Sequence, residues 1–397
     1  MCTICSTFRP YAEGCDYATL ETGSASAAPV TSTAPVGSIA VMADYLVNGY
    51  WTDTGATGHG FNTTLSNQIS VNLTGLSTEG QQLARWALEA WEAVADLDFV
   101  ETGAAAQITF QDDVASAYAS YLTLGPVTQS ATVNVGDIWI DTYGAKIGSY
   151  SLQTYLHEIG HALGLGHMGD YDGRAVYGAN EAFANDSWQT SAMSYFSQQQ
   201  NTATDASWAE VTTAMMVDVT AIQAIYGAPG ESSLTAGDTV YGKGHTLGSS
   251  WLGQMFDALN GTGSSSAYEA GAPALTIYDA GGIDGIDFSS DTRDQRVDLR
   301  SGSFSDVYGA RGNLAIALET VIENYTAGSG HDTVTGNAAH NVLKGGAGND
   351  VLNGGMGNDT LDGGAGNDTL NGGMGGSSRS KRDGGDSFIG GEGIDTV

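Results

Sequence analysis

From residue 327 to its end the chain repeats every nine residues, and this period restricts the fold more than any other feature. The slots GGAGNDVLN (345), GGMGNDTLD (354) and GGAGNDTLN (363) follow GGxGxDxUx in full, U being apolar. Less regular slots begin at 327, 336, 372, 381 and 390. A unit this short and glycine-rich cannot carry a helical stripe. It can turn tightly, lay down a brief strand and turn again, with its eighth residue pointing inward between two sheets. The aspartate and nearby carbonyls then offer hard oxygen ligands of the kind calcium prefers. The full slots nominate Asp350, Asp359 and Asp368, with turn glycines Gly345, Gly346, Gly348, Gly354, Gly355, Gly357, Gly363, Gly364 and Gly366. Asp332, Asp386 and Asp395 hold the same position in imperfect slots. Slot 372 puts Ser377 and Arg379 where the aspartate and the apolar residue belong, although the nine-residue phase runs on through it.

The whole chain is acidic, with 45 Asp and Glu against 13 Lys and Arg, a formal charge of −32. Such a charge repels nucleic acid and anionic lipid and suits multivalent cations. No apolar run approaches the roughly 18 residues of a membrane span. The first residues, MCTICSTFRPYAEGC, lack a basic region followed by an apolar core, so an ordinary secretory signal is not expected. All three cysteines, Cys2, Cys5 and Cys15, lie in that leader, so the body is not a disulfide scaffold. The leader reads as an inhibitory pro-segment whose thiols reach a metal, or as free, intermolecular or lipid-bearing thiols. The chain also stops at Val397, one residue short of a full slot, which points to truncation or processing.

Residues 19–38 are small and polar, as in a linker. Ser77 to Asp96 is predicted to be a helix opened by a Thr78–Gln81 capping box. Ile108 to Phe110 and Val133 to Ile140 read as strands. Met215 to Tyr226 reads as a helix stopped by Gly227 and Pro229. A boundary is expected near residue 229, with no helix beyond it. The expected segments are a leader and linker (1–38), a mixed α+β domain (39–228) and an all-β parallel roll (229–397).

The stretch LHEIGHALGLGH, Leu156 to His167, concentrates three of the chain's 7 histidines. On a helix His157 and His161 share a face and can hold one zinc. Glu158 can reach an attacking water without ligating the metal, as a general base requires. Gly164 can end the helix and let His167 return as a third ligand. A buried helix with incidental histidines would explain HExxH alone; HExxHxxGxxH is far more specific.

HEIGHALGLGH followed by SAMSYF, together with HMGDYDG, VTAIQAIYGA and the glycine–aspartate repeats, resembles the metzincin metalloproteases and within them the serralysins. The resemblance implies a metzincin catalytic domain and a calcium-binding RTX β-roll. It implies a secreted zinc endopeptidase exported without a cleaved N-terminal signal peptide. It makes His157, His161 and His167 zinc ligands and Glu158 the base. Met193 becomes the methionine beneath the metal, and Tyr195 a resting zinc ligand that later supports the transition state; core packing is the alternative for both. TAGDTVYG and DAGGIDGIDF resemble a first calcium site, nominating Gly237, Thr239, Asp279, Gly281 and Asp284. Implied partners are polypeptide substrates, a type I secretion channel and a small proteinaceous inhibitor, with a monomeric enzyme and neither nucleic acid nor membrane. Val133 to Ile140 reads as the edge strand that pairs with substrate, or as an ordinary strand. An adhesin with a degenerate protease domain is the competing function, against which the intact Glu158 and Tyr195 argue.

Overall fold

The computed structural model describes residues 2–4 (as backbone), 31–231, 233–263, 266–269, 271–373 and 385–397. They form two compact units, Met1–Gly227 and Ala228–Val397.

The first unit is built on one mixed sheet. Its strands are β1 (Cys2–Ile4), β2 (Gly60–Phe61), β3 (Gln68–Gly75), β4 (Asp98–Glu101), β5 (Ile108–Gln111), β6 (Ala117–Leu124) and β7 (Val127–Val135). The order is β1-β6-β7-β5-β3-β4, with β2 also on β7. β3, β4, β5 and β7 run parallel, whereas β6 is antiparallel to β7 and β1 to β6. Alternate residues of β3, Ile69, Val71 and Leu73, are buried, as a sheet with one covered face requires. The helices are α1 (Ile39–Asp44), continued by a π-helical turn into α2 (Tyr50–Asp53), then α3 (Thr78–Glu92), α4 (Asp137–Tyr143), α5 (Tyr150–Ala162) and α6 (Met216–Tyr226). The stripe Leu83, Ala87, Ala90 and Trp91 buries α3, and the Trp91 indole donates to the Leu156 carbonyl of α5 at 3.2 Å.

Three local expectations are corrected. The cap of α3 is Ser77, whose hydroxyl accepts the Gly80 amide, and the helix stops at Glu92. The span Val133 to Ile140 is split. β7 ends at Val135, and Gly136 caps α4, where a Cβ would lie 2.3 Å from the Val114 carbonyl. β7 also lies between β6 and β5, so it is not an edge; β6 is the outer strand of the body, with β1 laid along it.

The second unit is rich in short strands. Val240–Gly242, Gly285–Asp287, Asn324–Thr326, Val342–Lys344, Thr360–Asp362 and Ser387–Ile389 form one parallel sheet. Arg296–Asp298, Thr333–Thr335, Val351–Asn353 and Thr369–Asn371 form another. Successive repeats alternate between the sheets, so each strand pairs with the one 18 residues on, as Leu343 does with Leu361. The eighth-position residues Val334, Leu343, Leu352, Leu361 and Leu370 are buried. The ladder then jumps from Leu361 to Phe388, a step of 27 residues. Most of slot 372, with Ser377 and Arg379, lies outside the described residues. The unit is not purely parallel β. A helix, α7 (Trp251–Leu259), is capped by Ser250 and buries Trp251, Leu252, Met255 and Phe256, and Phe304–Ser305 pairs antiparallel with Leu314–Ile316.

Candidate metal centre and active site

α5 carries His157, Glu158 and His161 on buried faces, because the helix is enclosed along nearly its whole length. It ends at Ala162. Gly164 takes φ +108°, and a Cβ there would stand 1.9 Å from the His59 carbonyl, so only glycine fits this turn. The chain then doubles back to bring in His167. The Nε2 atoms lie 3.0 Å (His157–His161), 3.0 Å (His161–His167) and 3.3 Å (His167–His157) apart.

The tautomers make this triangle informative. The Nδ1 of His157 faces the Ala192 carbonyl at 2.9 Å, and that of His161 the Leu165 carbonyl at 2.8 Å. A carbonyl only accepts, so both Nδ1 atoms carry the proton and both Nε2 atoms present lone pairs. Two lone pairs facing each other at 3.0 Å repel unless a cation lies between them. A tetrahedral ion about 2.0–2.1 Å from each nitrogen fits such a triangle. Burial pushes the His157 imidazole down to about 4 and those of His161 and His167 well below their usual range, which keeps them in the ligand form at neutral pH. Among the described residues no other three His, Cys, Asp or Glu side chains converge in this way.

Glu158 is 1 % exposed, and neither carboxylate oxygen makes a close hydrogen bond. Burial pushes its pKa well above the usual carboxylate range and Asp172 adds to the rise, while the Ala119 amide of β6 acts the other way. A raised pKa is what a proton-shuttling carboxylate needs. Met193 is fully buried, and a Cβ on Gly160 of α5 would meet its Sδ at 2.6 Å. The Tyr195 ring lies 4.6 Å from that of His167 and 4.7 Å from that of Tyr171, and its hydroxyl accepts the Gly173 amide at 3.4 Å. Beside these groups opens a cleft of ≈ 320 Å³, its open mouth included, walled by Trp139, Tyr150 and Trp188 with Glu158 and Tyr195 at one side.

Two buried carboxylates here were not singled out from the sequence. Asp186 accepts the Tyr171 hydroxyl at 2.9 Å. Asp218 of α6 accepts from Ser191 and from the Ala192 and Met215 amides; burial pushes it up to about 6, with the Ser191 hydroxyl opposing the rise. Lone aspartates outside any repeat leave no periodic signal, although Asp218 does stand three residues into a helix.

In the second unit, one oxygen of each repeat aspartate accepts an amide of the preceding rung. Asp350 and Asp368 serve Asp332 and Asp350, Asp359 serves Asn341, and Asp386 and Asp395 serve Asp359 and Asp368. The other oxygen of Asp332, Asp350, Asp359, Asp368 and Asp386 is buried without a partner. Gly348 takes φ +135°, and a Cβ there would come 1.8 Å from the Gly330 carbonyl, so the turns pass tightly over one another. Burial raises Asp350 and Asp359 and pushes Asp332 up to about 6. A row of half-satisfied buried carboxylates beside closely packed backbone fits a hard cation. The upstream candidates also meet. Asp279 accepts from the Tyr241 hydroxyl and the Gly281 amide, Asp284 from the Thr239 amide, and the Thr239 hydroxyl donates to the Gly237 carbonyl. Glu323, which sequence reasoning did not pick out, accepts the Asp284 amide at 2.7 Å.

These features define a class: a three-histidine candidate metal centre with an adjacent buried carboxylate, in a chain ending in stacked aspartate-bearing repeats. Comparison with known proteins carries this further. A family model described as Peptidase M10 serralysin C terminal matches residues 232–395. Serralysin of Photorhabdus luminescens is 37% identical over 266 residues, covering 64% of this chain and 51% of the relative. Serralysin B of Dickeya chrysanthemi is 39% identical over 266 residues (63% and 52%), and Metalloprotease AprA of Pseudomonas entomophila is 36% identical over 269 (64% and 52%). The chain spans about half the length of the curated relatives it matches. It is a homologue of the serralysin metalloproteases.

Proposed function

We propose that the chain is a secreted zinc endopeptidase whose first unit is a metzincin-type catalytic domain and whose second is a calcium-stabilised RTX β-roll. The observation that carries the reading is the convergence of three histidine Nε2 atoms within 3.3 Å, with the unpaired carboxylate of Glu158 next in sequence to one of them. His157, His161 and His167 hold zinc, which when bound supplies Lewis acidity and acidifies water. Glu158 takes the proton of the attacking water and returns it to the leaving amine. The Tyr195 phenol donates to the oxyanion that develops on the scissile carbonyl. Met193 supports the α5 turn beneath the histidines. An extended peptide pairs along β6, whose Ala119 approaches Glu158, in the strand-addition mode. The Trp139, Tyr150 and Trp188 walls seat an uncharged substrate side chain. Calcium bound by the repeat aspartates and by the Asp279–Asp284 cluster stabilises the second unit; a type I channel and a small proteinaceous inhibitor are its proposed partners.

Replacing Glu158 with alanine tests the mechanism, because it spares the ligands and removes the base. The variant should keep one zinc per chain by metal analysis and lose casein cleavage, which in wild type should also be abolished by 1,10-phenanthroline. Near wild-type cleavage by Glu158→Ala would overturn the assignment.

A further inference from the structure

The histidine next in sequence to the base is wired to a charge that the proposed mechanism does not use. His157 Nδ1 donates to the Ala192 carbonyl at 2.9 Å. On the other side of that same peptide group, the Met193 amide donates to Ser191 Oγ at 3.0 Å. Ser191 Oγ donates in turn to Asp218 Oδ1 at 2.5 Å. All five residues are buried, with Asp218, Ser191, Ala192 and Met193 each 0 % exposed and His157 8 %. Every hydrogen in the chain points the same way, from imidazole through peptide and hydroxyl to carboxylate.

We infer that Asp218 is a positioning residue for the metal centre, acting on His157 through Ser191 and the Ala192–Met193 peptide. The inference rests on the three-histidine reading above. Hydrogen bonds aligned in series polarise one another, more so where the dielectric is low. A carboxylate at the far end draws the Ser191 hydroxyl proton, which makes Oγ a better acceptor for the peptide N–H. The peptide carbonyl becomes more negative and holds the His157 Nδ1 proton more firmly. Electron density at His157 Nε2 rises, and the ring is fixed in the orientation and tautomer that ligation needs. Asp218 Oδ2 meanwhile accepts the Ala192 and Met215 amides at 2.7 and 2.9 Å, tying the turn under the metal to the first turn of α6.

A purely structural role would predict that any loosening of this turn weakens the centre in proportion to lost stability. The test therefore compares full-length Asp218→Asn and Ser191→Ala, which break the relay, with Thr190→Val. That control removes hydroxyl bonds to the Ser187 and Asn185 carbonyls in the same turn and leaves the relay intact. Zinc dissociation constants are measured by chelator competition and thermal midpoints on the metal-free proteins. Asp218→Asn and Ser191→Ala should bind zinc about 10–100-fold more weakly than wild type, the range for lost outer-shell partners. Thr190→Val should lower the midpoint without that loss. Unchanged zinc affinity in Ser191→Ala, or a loss in all three that tracks the midpoint, would overturn the relay. Ser191→Ala is the milder change and decides the matter if Asp218→Asn does not fold. A wild-type chain that binds no zinc at all would instead overturn the three-histidine reading.

Discussion

Tyr195 is the residue at which packing and chemistry are hardest to separate. Its ring fills space between His167 and Tyr171, and its hydroxyl accepts the Gly173 amide at 3.4 Å. A bond that long is weak, so the phenol can leave it at small cost. Tyr195→Phe keeps the ring contacts and removes the donor. It should lower kcat by about 10-fold or more, the scale of one lost oxyanion donor being 10²–10³, while KM changes little. Equal kcat for the two proteins would leave Tyr195 as packing only. At this scale the sequence was most legible: HExxHxxGxxH specifies residue types and spacing together, and the structure draws those three imidazoles to one point. Asp218 and Asp186 were not legible, because their roles depend on which distant segment folds against them.

Among the elements, α3 and the outer strand β6 each carry a testable consequence. Glu92, in the last turn of α3, accepts the Phe99 amide of β4, and burial pushes its pKa from 4.5 up to about 7, against the pull of that amide. Folding therefore favours its protonated form. The stabilisation is fully present below about 4.5 and is lost as pH rises through about 7. Glu92→Gln should remove this loss, making the variant more stable than wild type at pH 8 by on the order of 1 kcal/mol and closer to it at pH 5, by thermal unfolding. A constant difference across that range would reject the burial argument. On β6, the backbone register sets Ile4 opposite Ala119, the residue whose amide approaches Glu158. A chain lacking residues 1–30 frees that edge and should cleave a peptide substrate with higher kcat/KM. Equal activity would remove β1 as a cover of the substrate edge. Cys5 and Cys15 lie outside the described residues, so a thiol on the metal remains an idea from the sequence. Periodicity identified α3 and α6, whereas α7 went unseen: its Ser250 cap and apolar pairs sit in a glycine-rich region where local pattern is a weak guide.

For the whole molecule, charge is the governing quantity. A chain of net charge −32 stacks partnerless carboxylate oxygens inside its second unit, and calcium offers both ligation and neutralisation. Extracellular modules bind calcium at about 10⁻⁴–10⁻³ M, so the unit should be open in a calcium-poor cytosol and closed outside the cell. Full-length protein moved from millimolar calcium into EGTA should lose strand signal in circular dichroism and become readily cleaved between residues 228 and 397, with recovery when calcium returns. Identical spectra and protease resistance in EGTA would show that the repeats fold on their apolar rungs alone.

Short-range information was enough where chemistry or turn geometry forces a residue type. The glycines, aspartates and apolar eighth residues of the repeats, the zinc-type histidine spacing and the helix stops are of this kind, because each is a local demand written within about a dozen residues. Tertiary structure decided what depends on partners far along the chain. It split Val133 to Ile140 between β7 and α4 and made β6 the outer strand, since sheet order is a matter of pairing. It set the rung after Leu361 at Phe388, an advance of 27 residues where earlier rungs advance by 18, since which strands pair is decided by the stack and not by the nine-residue period alone. It also brought Asp218 to the Ala192 amide, 26 positions earlier in the chain, whose carbonyl accepts from His157, since a buried carboxylate settles where donors converge and no local pattern records where that will be.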